Sequence, residues 1–473
     1  MKMKKNNGII LFVIVLMSFV ACLDMSIVNI ALPVMAKSLS VSMSIIELVV
    51  LSYITIICSI IMVFGKLGDL VGKVTIFKIG IIIFTTASFM CGMVNNIIFL
   101  IVARMIQAIG AAAFMANNQG IITEVFDQKE RGKALGVLAS MVALGTMLGP
   151  AVGGVILGSL NWTYIFWVNV PIGIAALILG MKFLPKDNKA KGKLDITGAI
   201  TFFIFSTSLI CTLIGEQNLG LFNPLIVGGL ILTLFSFAIF IRVQKVKANP
   251  LLNLDIFKNK LFSVSLLCAF ISFVCISASG IIVPFYLQYT LKINTYESGL
   301  ILMISPLVIT LISPISGAIS DKIGANSITV LGLIFTGLGF LLMSFWDCNS
   351  SVFIVITFQI VMAIGNGFFQ PSNNYLIMSA APKNKLGIAG SVNSLVRNFG
   401  QVIGVTFGTT ILYSLMSYKI GYHITTYLSE RDDIFVFGMK GVYIILAILC
   451  LFGVLVTINR AMKKDKYETI NEF

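Results

Sequence analysis

The sequence predicts an all-helical membrane protein of fourteen spans, with two six-helix bundles and two further helices between them. Three observations predict this fold class. Apolar runs of about 20 residues recur along the chain, only 11% of its 473 residues are charged, and glycine motifs of the first half reappear in the second. A water-soluble domain is roughly a quarter charged. The composition, with 58% hydrophobic residues and a mean hydropathy of +1.01, therefore excludes soluble enzymes, nucleic-acid-binding domains and secreted disulfide scaffolds.

The first apolar run follows the basic segment Met1 to Lys5 and continues through Asp24 to about Met35. A basic start before an apolar stretch is typical of a signal peptide, but this run is longer than a signal core and contains a charge. We therefore interpret it as the first retained span. The six predicted spans of the first half are residues 9–35, 43–65, 74–94, 97–120, 133–159 and 163–184.

Two additional spans, 195–215 and 222–242, precede the second half. The spans of the second half are 261–290, 297–320, 326–346, 351–377, 387–417 and 438–459. We predict an N-terminal bundle over 1–185, the extra helix pair with its linkers over 186–260, and a C-terminal bundle over 261–473.

Most of the 33 lysine and arginine residues fall in alternate loops. Cytoplasmic loops of membrane proteins collect such residues, so the bias predicts that both termini are cytoplasmic. The predicted outer segments hold few basic residues: Lys37, Lys292, Lys419, Arg431 and Lys440. No basic stripe with interleaved aromatic residues indicates a nucleic-acid partner.

Neither the cysteines nor the single histidine forms a pattern typical of catalysis or metal binding. The eight cysteines are scattered without CxxC spacing, and His423 lies in a polar segment. Isolated cysteines in apolar helices behave as small hydrophobic residues. We expect no metal, no cofactor and no hydrolase chemistry.

The chain repeats its own motifs. Gly65, Asp69 and Gly72, in the predicted loop after span 2, recur at the same spacing as Gly317, Asp321 and Gly324 after span 10. The stretch AIGAAAFMANN (108–118) is answered by AIGNGFFQPSN (363–373), and Gly145 and Gly149 by Gly400 and Gly404. Duplicated halves around a central site are the architecture of secondary transporters.

Several dispersed segments, in the same order, resemble the major facilitator superfamily and, within it, the fourteen-helix drug:proton antiporter family. The segments are LDMSIVNIALP (23–33), GKLGDLVGK (65–73), LIVARMIQAIGAA (100–112), GTMLGPAVGG (145–154), NWTYIFWVNVPIG (161–173), NPLLNLDIFKNKLF (249–262), and PFYLQ with the later SGL (284–300). Two segments depart from the family pattern. Its Trp-Arg-Trp sequence reads Trp162, Thr163 and Tyr164 here, so no role of that arginine carries over, and Lys73 stands where arginine is common.

Asp24 is the leading candidate for a proton carrier, because an ionisable group deep in a span is costly unless it pairs, protonates or faces water. Burial raises a carboxyl pKa and a nearby cation lowers it, so an acid that alternates between such surroundings can load and release a proton. Glu47, near the predicted outer mouth of span 2, is the other acidic candidate. The alternative is that Asp24 is only a structural partner of Arg104.

Arg104 lies at a depth similar to that of Asp24, so a pair, direct or through Gln107, is feasible. The resemblance implies that the span 4 arginine takes part in proton coupling. That role fits an ion pair that breaks when Asp24 binds a proton. Static charge compensation remains the alternative, since a buried guanidinium also needs a partner.

The repeated loop motif predicts a cytoplasmic gate made of Gly65, Asp69, Gly72 and Lys73, with Gly317, Asp321 and Gly324 in the second copy. Glycine permits a tight turn, and Asp69 could accept hydrogen bonds from the N–H groups that begin span 3. A gate of this kind would latch the two halves together. A plain turn cap is the alternative.

In span 5, Gly145, Gly149 and Gly153 share one helical face, so a neighbouring helix can approach closely, and Pro150 predicts a bend. The resemblance associates this motif with exporters. Simple close packing is the alternative.

Amide and aromatic side chains predict an adaptable cavity for amphipathic molecules. The candidates are Gln107, Phe285, Tyr286, Gln288, Gln359, Asn366 and Gln370.

These features together predict a bacterial plasma membrane transporter, not an enzyme, that exports lipophilic drugs, neutral or cationic, by alternating access. The proton gradient is its expected energy source, and lipid, protons and a small amphipathic substrate are its expected partners. We expect a monomer. The alternatives are an exporter dedicated to one antibiotic, metabolite or lipid, and a membrane sensor that transports nothing.

Overall fold

The computed structural model describes residues 7–41, 43–187, 193–219, 223–247, 249–382, 385–422, 424 and 431–470. Within these residues the chain is all-helical and fourteen helical segments are long and apolar enough to cross a membrane, which confirms the predicted fold class and span number. His423 lies outside the described residues. The predicted domain limits at 185 and 260 stay a prediction.

Seven helices of the first half form six of the fourteen spans, because α6 and α7 share one span. The helices are α1 (Asn7–Leu39), α2 (Met43–Val71), α3 (Lys73–Met93), α4 (Ile97–Val125), α5 (Gln128–Ser159), α6 (Tyr164–Trp167) and α7 (Asn169–Phe183).

The extra pair consists of α8 (Ile196–Leu219) and α9 (Pro224–Val246), and a short 3-10 turn (Leu254–Lys258) leads to the second half. That half contains α10 (Lys260–Phe285), a π-helical turn (Tyr286–Thr290), α11 (Thr295–Ile323), α12 (Ala325–Met343), α13 (Val352–Ala380), α14 (Leu386–Ile420) and α15 (Asp432–Ile470).

Four of the helices begin directly after an asparagine cap. Asn96, Asn223, Asn259 and Asn294 each precede a helix and accept hydrogen bonds from its first free backbone N–H groups. A cap of this kind satisfies donors that have no partner within the helix. Short polar connections with asparagine therefore set the helix starts.

The chain divides into two compact units by contact. Unit 1 is Met1–Ile256 with Met378–Leu395, and unit 2 is Phe257–Ile377 with Val396–Phe473. The end of α13 and the start of α14 thus pack within unit 1, although they belong to the second half of the sequence.

The duplicated motifs make equivalent contacts in each unit. In unit 1, a Cβ on Gly110 of α4 would lie 2.7 Å from the backbone oxygen of Gly80 on α3. In unit 2, a Cβ on Gly365 of α13 would lie 2.7 Å from the backbone oxygen of Gly332 on α12. Real Cβ atoms do not approach this closely, so both helix pairs depend on glycine. The sequence repeat is therefore also a structural repeat.

The gate motif is helical over most of its length, which corrects the expected loop. Gly65 and Asp69 lie within α2, and Gly317 and Asp321 lie within α11. Only Gly72 (φ +126°) and Gly324 (φ +94°) break the helices. A positive φ is strained for residues with a Cβ. Glycine at this one position in each copy therefore allows the chain to turn from one helix into the next.

The extra pair belongs to unit 1 and contacts the helices of the first half through α8, which packs on α2. Ser59 Oγ and Thr207 Oγ1 are 2.9 Å apart at this contact. Asp195, just before α8, accepts from Lys247 Nζ at 2.6 Å and from the backbone N of Leu251 at 3.2 Å. Burial of this carboxyl raises its pKa, but the hydrogen bonds outweigh that effect and hold the pKa below its ordinary value. An ionised Asp195 thus ties the two ends of the extra pair together.

Candidate functional site

An ion pair joins Asp24 of α1 to Arg104 of α4 within unit 1. Arg104 Nη1 donates to Asp24 Oδ2 at 2.5 Å, and both side chains are fully buried. The expected pair is therefore present. Its role in proton coupling stays a prediction.

Gln107, one turn along α4, braces the pair. Its Oε1 accepts from Arg104 Nη1 at 2.6 Å, while its Nε2 donates to Asp24 Oδ1 at 3.1 Å and to Ser88 Oγ at 2.8 Å. Asp24 and Arg104 are therefore joined both directly and through Gln107. Gln107 serves the pair here, and its predicted role in a substrate cavity stays a prediction.

Asn169 is a member of this cluster that the sequence analysis missed. The backbone changes helix at Val168, so Asn169 is the first residue of α7, and its Nδ2 donates to Asp24 Oδ1 at 2.7 Å. The signal was available, since a buried polar residue stands in the apolar segment NWTYIFWVNVPIG. Three hydrogen bonds from three side chains thus hold the Asp24 carboxylate.

Aromatic rings enclose the guanidinium of Arg104. Its Cζ lies 4.1 Å from the ring centroid of Tyr53 and 5.6 Å from that of Phe166. Such contacts stabilise a cation that has left water. Leu23, Ile27, Leu100 and Trp162 belong to the apolar cluster around this end of unit 1.

The cluster keeps spare hydrogen-bonding capacity. Arg104 Nη2, Tyr53 Oη and Asn169 Oδ1 are buried and have no hydrogen-bond partner in the described part of the chain. An unsatisfied buried polar atom costs about 1–3 kcal/mol. The arrangement therefore holds groups that could form hydrogen bonds with a water molecule or a polar ligand atom if the helices separate.

At the corresponding site in unit 2, the described residues form no such ion pair. Gln359 stands six residues before Gly365, as Arg104 stands six residues before Gly110. Its Oε1 accepts from Ser305 Oγ at 3.5 Å, and its Nε2 is buried without a hydrogen-bond partner among the described residues. The duplicated scaffold therefore supports different chemistry in its two copies.

The remaining cavity candidates lie in unit 2, in different surroundings. Tyr286 is a fully buried core residue that stacks on Trp346 at 5.1 Å. Phe285 stacks on Tyr289, and Asn366 Oδ1 accepts from Gln370 Nε2 one turn away on α13. Gln288 is half-buried. Their predicted substrate contacts stay predictions.

Glu47 is exposed on α2. No hydrogen bond or ion pair within the described ranges joins it to Asp24 or Arg104. The structure therefore does not bring this second acidic candidate into the cluster, and its predicted part in proton coupling stays a prediction.

Asp69 binds a different helix start from the one expected. Its carboxylate accepts from the backbone N of Gly387 at 2.8 Å and of Ile388 at 3.1 Å, at the beginning of α14. The start of α3 is capped instead by Asp187, which accepts from Val74 N at 2.7 Å and Thr75 N at 3.0 Å. An N-terminal helix end attracts a carboxylate, and these two acids cap two different helices.

Lys73 completes the gate cluster. Its Nζ lies 3.0 Å from Asp69 Oδ1 and 2.8 Å from Glu124 Oε1. Gly65 allows close approach at the same contact, because a Cβ there would lie 2.7 Å from the backbone oxygen of Gly387. Gly387 and Ile388 begin a helix that continues into unit 2, so Asp69 ties that helix's start to unit 1.

Asp69→Asn should weaken this cluster, because the amide replaces one accepting oxygen with an NH2 donor and removes the charge that pairs with Lys73. Charge-assisted hydrogen bonds contribute about 1.5–3 kcal/mol. The reporter is the thiol of Ser391→Cys, which is labelled with an impermeant maleimide in everted vesicles. We expect this thiol to react roughly tenfold faster when Asp69→Asn is also present than when Asp69 is unchanged. The exposed Asp127→Asn change is the matched control. Equal labelling rates in both backgrounds would rule out a gate at Asp69.

The glycine face of α5 packs on α1, next to Asp24. A Cβ on Gly145 would lie 2.5 Å from the backbone oxygen of Phe19, and one on Gly149 would lie 2.3 Å from Ser26 Cβ. In unit 2, Gly404 of α14 makes the matching contact, because a Cβ there would overlap the backbone oxygen of Val274 on α10. The predicted close approach is therefore present. The side chain of Pro150, and with it the predicted bend, falls outside the described residues.

Gly149→Ala should destabilise the protein, because its methyl group would overlap Ser26. Overpacking of this kind costs about 1–3 kcal/mol. Gly154→Ala, on the same helix, meets nothing within 4 Å and is the matched control. We expect a lower melting temperature in detergent for the first variant only. Equal melting temperatures of the two variants would show that α1 and α5 can accommodate a methyl group at position 149.

A family profile, described as Major Facilitator Superfamily, matches residues 14–405 and 265–470. The riboflavin transporter RibZ of Clostridioides difficile (strain 630) is 32% identical over 98% of this chain and 99% of its own length. The multidrug transporter protein MdtP of Bacillus subtilis (strain 168) is 31% identical over 91% of this chain and 79% of its own.

Solved structures share the fold at low sequence identity. The proton:xylose symporter XylE, bound to 6-bromo-6-deoxy-D-glucose, matches with a TM-score of 0.68 and 14% identity, over 96% of each chain. The human organic anion transporter MFSD10 matches with a TM-score of 0.62 and 13% identity, over 96% of this chain and 99% of that one. With its fourteen spans and duplicated glycine contacts, this chain belongs to the Major Facilitator Superfamily and is a multi-pass membrane transporter.

Proposed function

We propose that this transporter exports lipophilic organic compounds, neutral or cationic, from a bacterial cell in exchange for protons. The observation that carries the proposal is the fully buried ion pair of Asp24 with Arg104, inside the membrane-spanning region. Ionisable residues at such depth are usually functional. The relative MdtP, named a multidrug transporter protein, supports the substrate class, and bacterial relatives support a plasma membrane location.

The proposed coupling step is the opening of the cluster. While Asp24 is ionised, attraction to Arg104 and hydrogen bonds from Gln107 and Asn169 hold α1, α4 and α7 together. A proton on the carboxylate removes that attraction, so Arg104 can turn to another acceptor. Asp24 is closed to solvent in this structure, so proton loading requires a second conformation in which the helices part.

Substrate and proton would then compete for one site. A cationic or hydrogen-bonding compound that enters the opened cluster can replace Arg104 as the partner of Asp24. The unpartnered Tyr53 Oη and Asn169 Oδ1 offer further contacts to such a compound. Each half-cycle would therefore carry either the proton or the substrate, which is the requirement for exchange.

The test is proton movement driven by a compound. The purified chain would be placed in liposomes that enclose a pH-sensitive dye and exposed to ethidium, tetraphenylphosphonium, riboflavin and a diverse panel. Export by exchange predicts compound-dependent proton movement, absent from protein-free liposomes. A protein that moves no proton with any compound would contradict the proposal.

A transporter dedicated to one metabolite is the second candidate. It is favoured by RibZ, named a riboflavin transporter, which aligns with nearly the whole chain. A single compound active in the panel would favour this candidate, whereas several unrelated active compounds would favour multidrug export.

A further inference from the structure

Arg460, at one end of unit 2, has no acidic partner among the residues that the structure describes. Arg460 of α15 donates from Nη1 to Ser265 Oγ of α10 at 3.1 Å and from Nη2 to Asn326 Oδ1 of α12 at 2.6 Å. Both acceptors are neutral, and no described acidic side chain lies within 4 Å of the Arg460 guanidinium. A guanidinium has five N–H donors, so three of them remain without a partner among the described residues.

An apolar groove lies between α12 and α15, the two helices joined by the contact of Arg460 with Asn326. The groove encloses about 270 Å³ and its walls are apolar. Gly337 and Ala447, which have little or no side chain, are two of its lining residues. Bulkier residues form the sides: Leu333, Leu341, Ile444, Ile448 and Leu451.

The groove opens to the surroundings. Ile448 and Leu451 are more than half exposed, and Leu341 is 44% exposed. In a protein that spans a bilayer, this face meets hydrocarbon. An acyl chain is therefore the natural occupant.

The two features are aligned along the same pair of helices. On α12 the groove runs from Leu333 to Leu341, about 10 to 22 Å beyond Asn326 at 1.5 Å per residue. On α15 it runs from Val454 to Ile444, about 9 to 24 Å beyond Arg460. One leaflet of the hydrocarbon core is roughly 15 Å deep. The part of the groove nearest Arg460, from about 9 to 15 Å, therefore lies at the depth of the acyl chain of a lipid that has its polar end at Arg460.

Charge selects the class of lipid. Guanidinium groups prefer phosphate oxygens, which they bind in a forked geometry. Exposed Lys260 and Lys322, at the matching ends of α10 and α11, add positive charge. The distribution of basic residues predicts that this end is cytoplasmic, where anionic lipids are attracted by basic clusters.

We propose that unit 2 binds one anionic phospholipid of the cytoplasmic leaflet, with its phosphate on Arg460 and one acyl chain in the groove between α12 and α15. The site is separate from the Asp24 cluster and does not depend on the proposed exchange. Its occupant would fill the hollow between the two helices and neutralise Arg460.

The test is lipid retention by the purified full-length protein in native mass spectrometry. Dioleoyl phosphatidylglycerol and dioleoyl phosphatidylcholine have the same acyl chains and differ in headgroup charge. We expect about fivefold preferential retention of the anionic lipid, which corresponds to about 1 kcal/mol. Arg460→Gln should abolish the preference, whereas Arg242→Gln, which removes an exposed charge from the end of α9, should preserve it.

A second variant tests the groove. Ala447→Phe fills the hollow and leaves Arg460 in place, so it should reduce retention of both lipids. Unchanged retention in Ala447→Phe, or an unchanged preference in Arg460→Gln, would overturn the proposal. Displacement of the lipid by excess inorganic phosphate would also overturn it, because the headgroup alone would then account for binding. A lipid-independent dimer that Ala447→Phe dissociates would assign the groove to a second copy instead.

Discussion

Asp24→Asn is expected to reduce proton-coupled transport to the level of protein-free liposomes. The amide is close to the carboxylate in size and still accepts hydrogen bonds, but it cannot bind and release a proton. The three side chains that donate hydrogen bonds to the buried Asp24 are Arg104, Gln107 and Asn169. None of these three contacts is a carboxylate, so none can take over the proton from Asp24. The measurement is dye-reported proton movement with the most active compound of the panel.

The control for this variant is Asp127→Asn, the same chemical change at an exposed position between α4 and α5. It should transport like the wild type. Equal membrane insertion and elution volume of the two variants would show that loss of transport is not loss of fold. Undiminished pH-driven efflux by Asp24→Asn would refute the carrier role.

Arg104→Ala is expected to abolish coupling as well and to lower stability. Removal of one partner leaves a buried carboxylate without its cation, which typically costs about 3–5 kcal/mol. The variant also loses the contact of the guanidinium with the Tyr53 ring, whose centroid lies 4.1 Å from Arg104 Cζ, and this loss lowers the stability further. The measurements are the melting temperature in detergent and proton movement in liposomes.

The double variant Asp24→Asn, Arg104→Gln separates coupling from structure. It removes both charges and keeps side chains that can hydrogen-bond, so stability should recover most of the loss seen in Arg104→Ala. Transport should stay absent, because no proton carrier remains. Wild-type transport by Arg104→Ala would discard the ion-pair scheme, and restored transport in the double variant would leave the pair a purely structural role.

The fold was predictable because span length and polar breaks depend on local sequence. A hydrocarbon core of about 30 Å demands about 20 apolar residues per helix, and loops between them are short. The duplication was readable because the glycines that permit close helix contact, such as Gly110 and Gly365, cannot be replaced by larger residues. Depth along a span also predicted that Asp24 and Arg104 could meet.

The rest depended on distant contacts that no local pattern contains. The N–H groups that Asp69 binds are 318 and 319 positions away in the chain. The start of α3, which is nearer in sequence, is capped by Asp187 instead. Asn169 reaches Asp24 across 145 positions. Tyr286 resembled a cavity residue by composition, but helices that are apolar on every face do not reveal which side chains meet lipid, core or substrate.

A single carboxylate carries a single proton, and that fact sets the electrical character of the proposed exchange. Exchange of one proton for a monovalent cation would move no net charge across the membrane. Exchange for a neutral compound would move one positive charge inward, and each 100 mV of potential would add about 2.3 kcal/mol of driving force. The membrane voltage would therefore help to concentrate neutral compounds outside the cell, whereas monovalent cations would be exported by the pH difference alone.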